Sequence, residues 1–109
     1  MEIINLTGHD INVITNEGEI VFKSDGSYPR INIDYTLADI INVNGAEILI
    51  NKSEFKDVYN LPDKKEGVYY IVSFPIALTC KDRNDLIFPT SLIRDEKGAI
   101  KGCKGFAKI

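Results

Sequence analysis

Two arginines in the C-terminal third of the chain stand beside aspartates and have the chemistry to hold an anionic ligand. Arg83 lies in KDRNDLIFP and Arg94 in SLIRD, and the chain has only three arginines against ten lysines. A guanidinium is a planar fork of donors that fits a carboxylate or phosphate with two parallel hydrogen bonds. The arginines are therefore candidate ligand contacts. The alternative is that each forms a structural bidentate pair with a nearby acid such as Asp85 or Asp95.

The other residues with reactive side chains do not form a recognisable catalytic or metal motif. His9 is the only histidine, and Cys80 and Cys103 form no CxxC pair. Zinc sites combine several such ligands, so no metal is predicted, and the cysteines are expected to be reduced, buried hydrophobic residues. Ser73 has no nucleophile-elbow glycines around it, so a helix-capping role is predicted. The sixteen acidic residues are scattered among turns, and no acid–base pair stands out.

Lys101 and Lys104 lie in GAIKGCKG, a glycine-rich segment that spans residues 98–105. Exposed backbone N–H groups and lysines can bind an anion, but the spacing is not that of a P-loop. The segment predicts a twisted, bulged strand with close backbone approach, and anion binding is the alternative.

Length and charge limit the classes of protein that the chain can belong to. At 109 residues it is expected to form a single β-rich domain over residues 1–109. A net charge of −3 disfavours nonspecific binding to bulk nucleic acid, which requires a strongly basic face. No apolar run is long enough to span a membrane, and MEIINLT does not resemble a signal peptide, so a cytoplasmic location is expected.

Short runs of Ile, Val, Tyr and Phe between turn dipeptides predict a mainly β fold, a small antiparallel barrel or sandwich with one short helix. We expect the chain to begin with a meander of hairpins. Asn44-Gly45 is a strong hairpin signal and predicts paired strands at 40–43 and 47–50. The segment Val68–Val72 lacks alternation, which predicts a central strand buried on both faces.

The remaining elements are predicted from proline and turn residues. Ser73-Phe74-Pro75 is typical of a helix start, so the helix is placed near residues 74–80. A strand is expected to follow at 86–88, to be interrupted by Pro89 and to resume near residue 92.

Elements near both ends of the chain resemble a family of small uncharacterised proteins encoded by phages and prophages. Their pattern runs N-L-T-x-H, Y-I-V-S, R-x-D-x-x-x-P and R-D-x-x-G-x-I-x-G-C, and residues 18–63 fall outside it. Gly8 stands here where such proteins often have proline. The matching positions are Asn5, Leu6, Thr7, His9, Tyr70, Ile71, Val72, Ser73, Arg83, Asp85, Pro89, Arg94, Asp95, Gly98, Ile100, Gly102 and Cys103.

The resemblance implies a phage or prophage origin and a location in the host cytoplasm. Phage proteins of this size include nonenzymatic sponges for the nucleotide signals of bacterial immunity. By that class-level analogy we expect a homo-oligomer that needs no cofactor and sequesters a cyclic nucleotide or an ADP-ribose derivative without cleaving it. Tyr69 or Tyr70 would stack on the base. The predicted ligand-binding residues are Thr7, His9, Tyr70, Ser73, Arg83, Asp85, Arg94 and Lys101.

Two alternatives to sequestration stay open at this point. The first is a structural or protein-interaction module that binds a host or phage protein, in which the arginines only pair with acids. The second is a nucleotide-cleaving enzyme, which would have to turn its ligand over.

Overall fold

A computed structural model describes all 109 residues, as eight strands and one short helix. The mainly β class predicted from the sequence is confirmed. In chain order the elements are β1 (Glu2–Asn5), β2 (Ile11–Thr15), β3 (Gly18–Phe22), β4 (Arg30–Val43), β5 (Ala46–Tyr59), β6 (Val68–Ile71), α1 (Phe74–Thr79), β7 (Leu86–Arg94) and β8 (Ile100–Ala107).

Six of the strands form one sheet that curls into a half-barrel, in the order β1-β6-β7-β8-β2-β3. The hairpins β2–β3 and β7–β8 are antiparallel, whereas β1–β6, β6–β7 and β2–β8 are parallel. The predicted opening meander is therefore wrong for β1, which pairs with β6 rather than with β2. Pairing with a strand so distant in the sequence leaves no local signal, so hairpin cues could not reveal it.

The hydrophobic core consists of two clusters that meet at β6. Tyr70 and Val72 belong to one cluster, which α1 covers with Ile76 and Ala77. Ile71 points into the other cluster, between β2, β7 and β8. Side chains of β6 are thus buried on both faces, and the prediction of a central buried strand is confirmed.

The helix lies where the sequence placed it, but it begins without the expected cap. Ser73 occupies the N-cap position in extended conformation, and Pro75 lies in the first turn. The Ser73 hydroxyl makes no capping hydrogen bond, so the predicted capping role of that side chain is wrong. A helix of six residues is marginal by itself, so its stability comes mainly from the packing of Ile76 and Ala77 on the core. No helix has the length and apolar character required to cross a bilayer.

Strand β7 runs continuously from Leu86 to Arg94, so the predicted interruption at Pro89 is wrong. Pro89 stays in register opposite Phe106 of β8. The local irregularity lies two residues later, at Ser91, whose φ is 55°.

Strands β4 and β5 form a separate two-stranded hairpin, which we call the arm (Arg30–Tyr59); the rest of the chain is the body. Asn44 and Gly45, with φ of 51° and 84°, form the predicted turn. Each strand has 14 residues, much longer than the predicted segments 40–43 and 47–50. The radius of gyration is 17.5 Å, against about 13 Å for a compact chain of this length. The arm therefore extends away from the body.

Candidate functional site

The Arg83 side chain is part of the body's internal architecture. Its Nε donates to Asp85 Oδ1 at 2.8 Å, and its Nη2 donates to Asp85 Oδ2 at 2.8 Å and to Pro62 O at 2.9 Å. The Asp85 side chain is only 3% exposed. Hydrogen bonds from Arg83 hold the pKa of Asp85 below its usual range, and the same bonds raise the pKa of Arg83. The structural bidentate pair is confirmed for Arg83.

Arg94 has a different environment, at the exposed end of the β7–β8 hairpin. Its Nη1 donates to the carbonyl oxygen of Gly98 at 2.8 Å. The Asp95 carboxylate accepts the backbone N–H groups of Lys97 and Ala99 instead. The alternative of an Arg94–Asp95 pair is therefore wrong, because Arg94 bonds to a backbone carbonyl while Asp95 Oδ1 holds the backbone of the turn.

Thr7 and His9 belong to a turn that is organised by a buried asparagine. Asn5 Nδ2 donates to His9 O at 2.7 Å and to Phe22 O at 2.8 Å. Asn5 Oδ1 accepts the backbone N–H of Thr7, and Thr7 Oγ1 lies 2.7 Å from the same oxygen. The backbone of His9, not its imidazole, takes part in this network. Asn5 begins the N-L-T-x-H element, but it is not among the site residues predicted from the sequence.

The eight predicted ligand-binding side chains do not line a common cavity. His9 and Lys101 border one open depression, and Asp85 borders a second one. Tyr70 is 2% exposed and its hydroxyl donates to Asp63 O, so its ring is not open to a base. Ser73 is exposed at the start of α1, while Thr7, Arg83 and Arg94 make the contacts described above.

We call the first depression, of about 320 Å³, the β8 depression; it lies between β2, β7 and β8. Leu92 and Ile100 contribute exposed apolar side chains to it, and Lys101 adds a positive charge. Gly102 lets β8 approach β2 closely, because a Cβ there would lie 2.9 Å from Asn12 O. The close approach predicted for the glycine-rich segment is confirmed at this glycine.

The second depression, of about 240 Å³, has three lysines on its border and is called the lysine depression. Lys64, Lys65 and Lys108 surround a half-buried Tyr69, and Lys108 Nζ lies 5.7 Å from the centroid of the Tyr69 ring. Lys64 Nζ donates to Asn84 Oδ1. Lys64 and Lys65 are adjacent, but Lys108 is far from them in sequence, so no local pattern indicated that it joins them.

Both cysteines are free thiols. Cys103 is buried in the second core cluster, as predicted, whereas Cys80 is only partly buried. Burial raises the pKa of both thiols, which disfavours the reactive thiolate form. The positive charge of Arg83 acts in the opposite direction on the pKa of Cys80, but burial has the larger effect.

The arm has the largest set of exposed apolar side chains in the molecule. Only Ile31 and Val58, near its base, pack against the core. Soluble monomers rarely leave large apolar patches uncovered, and a lone two-stranded hairpin is marginally stable in water. The exposed apolar residues of the arm are Ile33, Tyr35, Leu37, Ile40, Ile41, Val43, Ile48, Leu49, Ile50, Phe55 and Tyr59.

The apolar character of the arm changes along its length. Near the base, Ile33 pairs with Phe55 while the next pair along is Asp34 and Glu54, so one face is apolar and the other is charged. A register shift between Leu37 and Asp39 ends this arrangement. Beyond the shift, the successive pairs are Ile40–Leu49 and Ile41–Ile48. Because neighbouring pairs point to opposite faces, the tip is apolar on both sides.

Metal ligands and known relatives provide no further guide to the site. No group of three or more His, Cys, Asp or Glu side chains is placed to hold a metal ion. Comparison with known proteins finds no matching family model, no matching curated protein and no matching solved structure. The arm and the two depressions are therefore the features that point to a function.

Proposed function

We propose that the protein is an interaction module that binds another protein through its arm. The observation that carries the proposal is the set of eleven exposed apolar side chains on a hairpin that has no second layer against it beyond its base. Burying apolar surface contributes about 25 cal/mol per Å², so covering this surface would stabilise a complex and the arm together.

The shape of the arm favours a protein partner over a small molecule. Small-molecule sites are concave and surround their ligand, whereas the arm is an extended projection. Tyr35, Phe55 and Tyr59 lie along it, and aromatic side chains are enriched at the centres of protein interfaces. Arg83 is held by Asp85 and Pro62, which agrees with the alternative in which the arginines serve the fold.

A pull-down from lysate of bacteria that also express a differently tagged copy of this chain tests this function, because the lysate offers the arm both foreign proteins and a second copy. The immobilised wild-type protein is expected to retain a protein that a Tyr35→Ser/Leu37→Ser variant does not retain, because the variant loses two apolar arm side chains. Ile20→Ser is the matched control, since Ile20 is an exposed apolar residue on β3 of the body. Retention of the same proteins by all three forms would reject the arm as the binding surface.

A second candidate is sequestration of a nucleotide-derived signal, and the lysine depression favours it. Lys64, Lys65 and Lys108 can bind phosphate oxygens, and the half-buried ring of Tyr69 offers a surface for a base. Two acids, Glu66 and Asp85, also border this depression, and Arg83 already pairs with Asp85. If the phage or prophage origin implied by the resemblance holds, such binding would counter the host's immune signalling in its cytoplasm.

Thermal shift with cyclic dinucleotides and ADP-ribose tests sequestration. A binding ligand is expected to raise the melting temperature of the wild-type protein and of Lys101→Glu, but not that of Lys65→Glu/Lys108→Glu. The ligand should also be recovered intact after denaturation, whereas a cleaved product would indicate the enzyme alternative. No shift with any of these compounds would reject this candidate and leave the first one standing.

A further inference from the structure

We infer that the partner of the arm is a second copy of this chain, and that each arm lies on the β8 depression of the other copy. This inference rests on the proposed function, because it names the protein that the arm binds. It joins two exposed apolar surfaces of the molecule that do not cover one another within a single subunit.

The charges of the two surfaces are complementary. The arm has five acidic and three basic residues, a net charge of −2, whereas the β7–β8 hairpin, residues 86–107, has two acidic and four basic residues, a net charge of +2. Asp10 also lines the β8 depression, but its carboxylate is already paired with Lys23 at 3.1 Å. Two arms laid together would therefore repel, while an arm laid on β7 and β8 would be attracted. The acids of the arm are Asp34, Asp39, Glu47, Glu54 and Asp57, and the bases of the β7–β8 hairpin are Arg94, Lys97, Lys101 and Lys104.

The tip of the arm and the β8 depression also match in their apolar groups. Leu92 and Ile100 are 49% and 58% exposed in the depression. The Ile41–Ile48 pair at the tip presents two aliphatic side chains, and Asp39, in the Asp39–Ile50 pair two positions along, points to the same face. A seated tip would cover these aliphatic groups and bring an acid to the side of the body that carries Lys101.

The available area is that of a stable dimer. Beyond its base, which packs on its own core, the arm has about 11 residues per strand, so it is about 37 Å long and about 10 Å wide, and one face covers about 370 Å². In a two-fold symmetric pair each subunit contributes one arm face and one covered body face of equal area. The sum is about 740 Å² per subunit, close to the area of about 800 Å² in a standard interface.

Sedimentation or light scattering of the full-length protein tests the inference. The wild-type protein is expected to be a dimer at micromolar concentration. Ile41→Asp/Ile48→Asp should dissociate it, since charges at the tip cannot enter an apolar contact. Lys101→Glu should raise the dissociation constant at least tenfold, with a larger effect at low salt. Lys65→Glu, a matched lysine in the lysine depression, should leave it unchanged.

Lys101→Glu keeps the test independent of the folding of the arm, because Lys101 is an exposed body residue. A monomeric wild-type protein overturns the inference. So does a dimer that the tip variant dissociates while Lys101→Glu leaves it intact, since that outcome means that the arms pair with one another. If the wild-type protein is monomeric but its arm still retains a lysate protein, this inference fails and the proposed function survives.

Discussion

The body and the arm both consist mainly of β strands, but the body buries apolar side chains and the arm exposes them. All eleven buried hydrophobic residues belong to the body. The arm has eleven exposed ones and none that is fully buried. In the body, α1 packs on the curled sheet as a second layer, whereas the arm has no second layer beyond Ile31 and Val58 at its base.

The contrast shows that a strand can satisfy its backbone hydrogen bonds with a neighbouring strand and still leave its side chains exposed. The arm satisfies the backbone hydrogen bonds between its own strands, as the body does. Burial requires another layer packed against the sheet, and only the body supplies one from the same chain. An apolar run in a β protein can therefore mark a core or an interface, and the run itself does not distinguish them.

The largest effect is expected when the body loses the Arg83 contacts. Arg83→Ala should lower the free energy of unfolding by about 3 kcal/mol, because it leaves the buried Asp85 carboxylate unpaired. This lies at the lower end of the usual range, since the Arg83 side chain is 25% exposed. Urea unfolding followed by circular dichroism measures it. Arg94→Ala, at an exposed turn, should lower the free energy of unfolding by about 0.5 kcal/mol or less. Equal losses for the two variants would contradict the conclusion that only Arg83 is part of the body's internal architecture.

Acidification should destabilise the protein less than Arg83→Ala does. Protonation neutralises Asp85, so no unpaired charge is left buried. Its folded-state pKa is lowered by the Arg83 hydrogen bonds, so its contribution to stability is present above the unfolded pKa, about 3.9. That contribution is lost as the pH falls through the lower folded pKa. Urea unfolding between pH 7 and pH 2 should show the stability difference between wild type and Asp85→Asn shrinking; a difference independent of pH would contradict this.

A close contact between strands gives the next largest effect. Gly102→Ala places a Cβ 2.9 Å from Asn12 O, between β8 and β2, and should cost about 1–3 kcal/mol of unfolding free energy. Gly105→Ala is the control in the same strand, because nothing lies within 4 Å of its added Cβ. We expect the control to melt within a few degrees of the wild type. Similar losses for both variants would mean that the β2–β8 contact is not tight.

Shortening the arm should have the smallest effect on the body. Replacement of residues 36–52 by an Asn-Gly turn removes no side chain of the core clusters, so the change in unfolding free energy at low protein concentration should be below about 0.5 kcal/mol. At high concentration the wild type should gain stability by mass action and the shortened form should not. A large loss at low concentration would show that the arm supports the fold of its own subunit.

Local signals predicted the parts of this fold that local chemistry determines. The left-handed conformations at Asn44 and Gly45 suit Asn-Gly, and the unbroken apolar run at 68–71 reflects burial on both faces. The length of the arm was missed because the register shift between Leu37 and Asp39 breaks the alternation by which strands are recognised. The parallel pairing of β1 with β6 has no local signal at all.

The candidate site was likewise predictable only where its residues are close in sequence. The Arg83–Asp85 pair joins residues two positions apart, so proximity in sequence suggested it. The lysine depression gathers Lys64, Lys65 and Lys108 through the tertiary fold, and Asn5 bonds to Phe22 across seventeen residues. Only the folded chain shows these groupings.

The pairing of β1 with β6 also implies an order of assembly. The arm is a local hairpin and can form within microseconds of its own synthesis. Strand β1 has no partner until β6, which follows the whole arm in the chain, has been made. Closure of so long a loop is slow compared with hairpin formation. The element that contributes least to the core can therefore form first, while the first strand to be synthesised waits the longest for its partner.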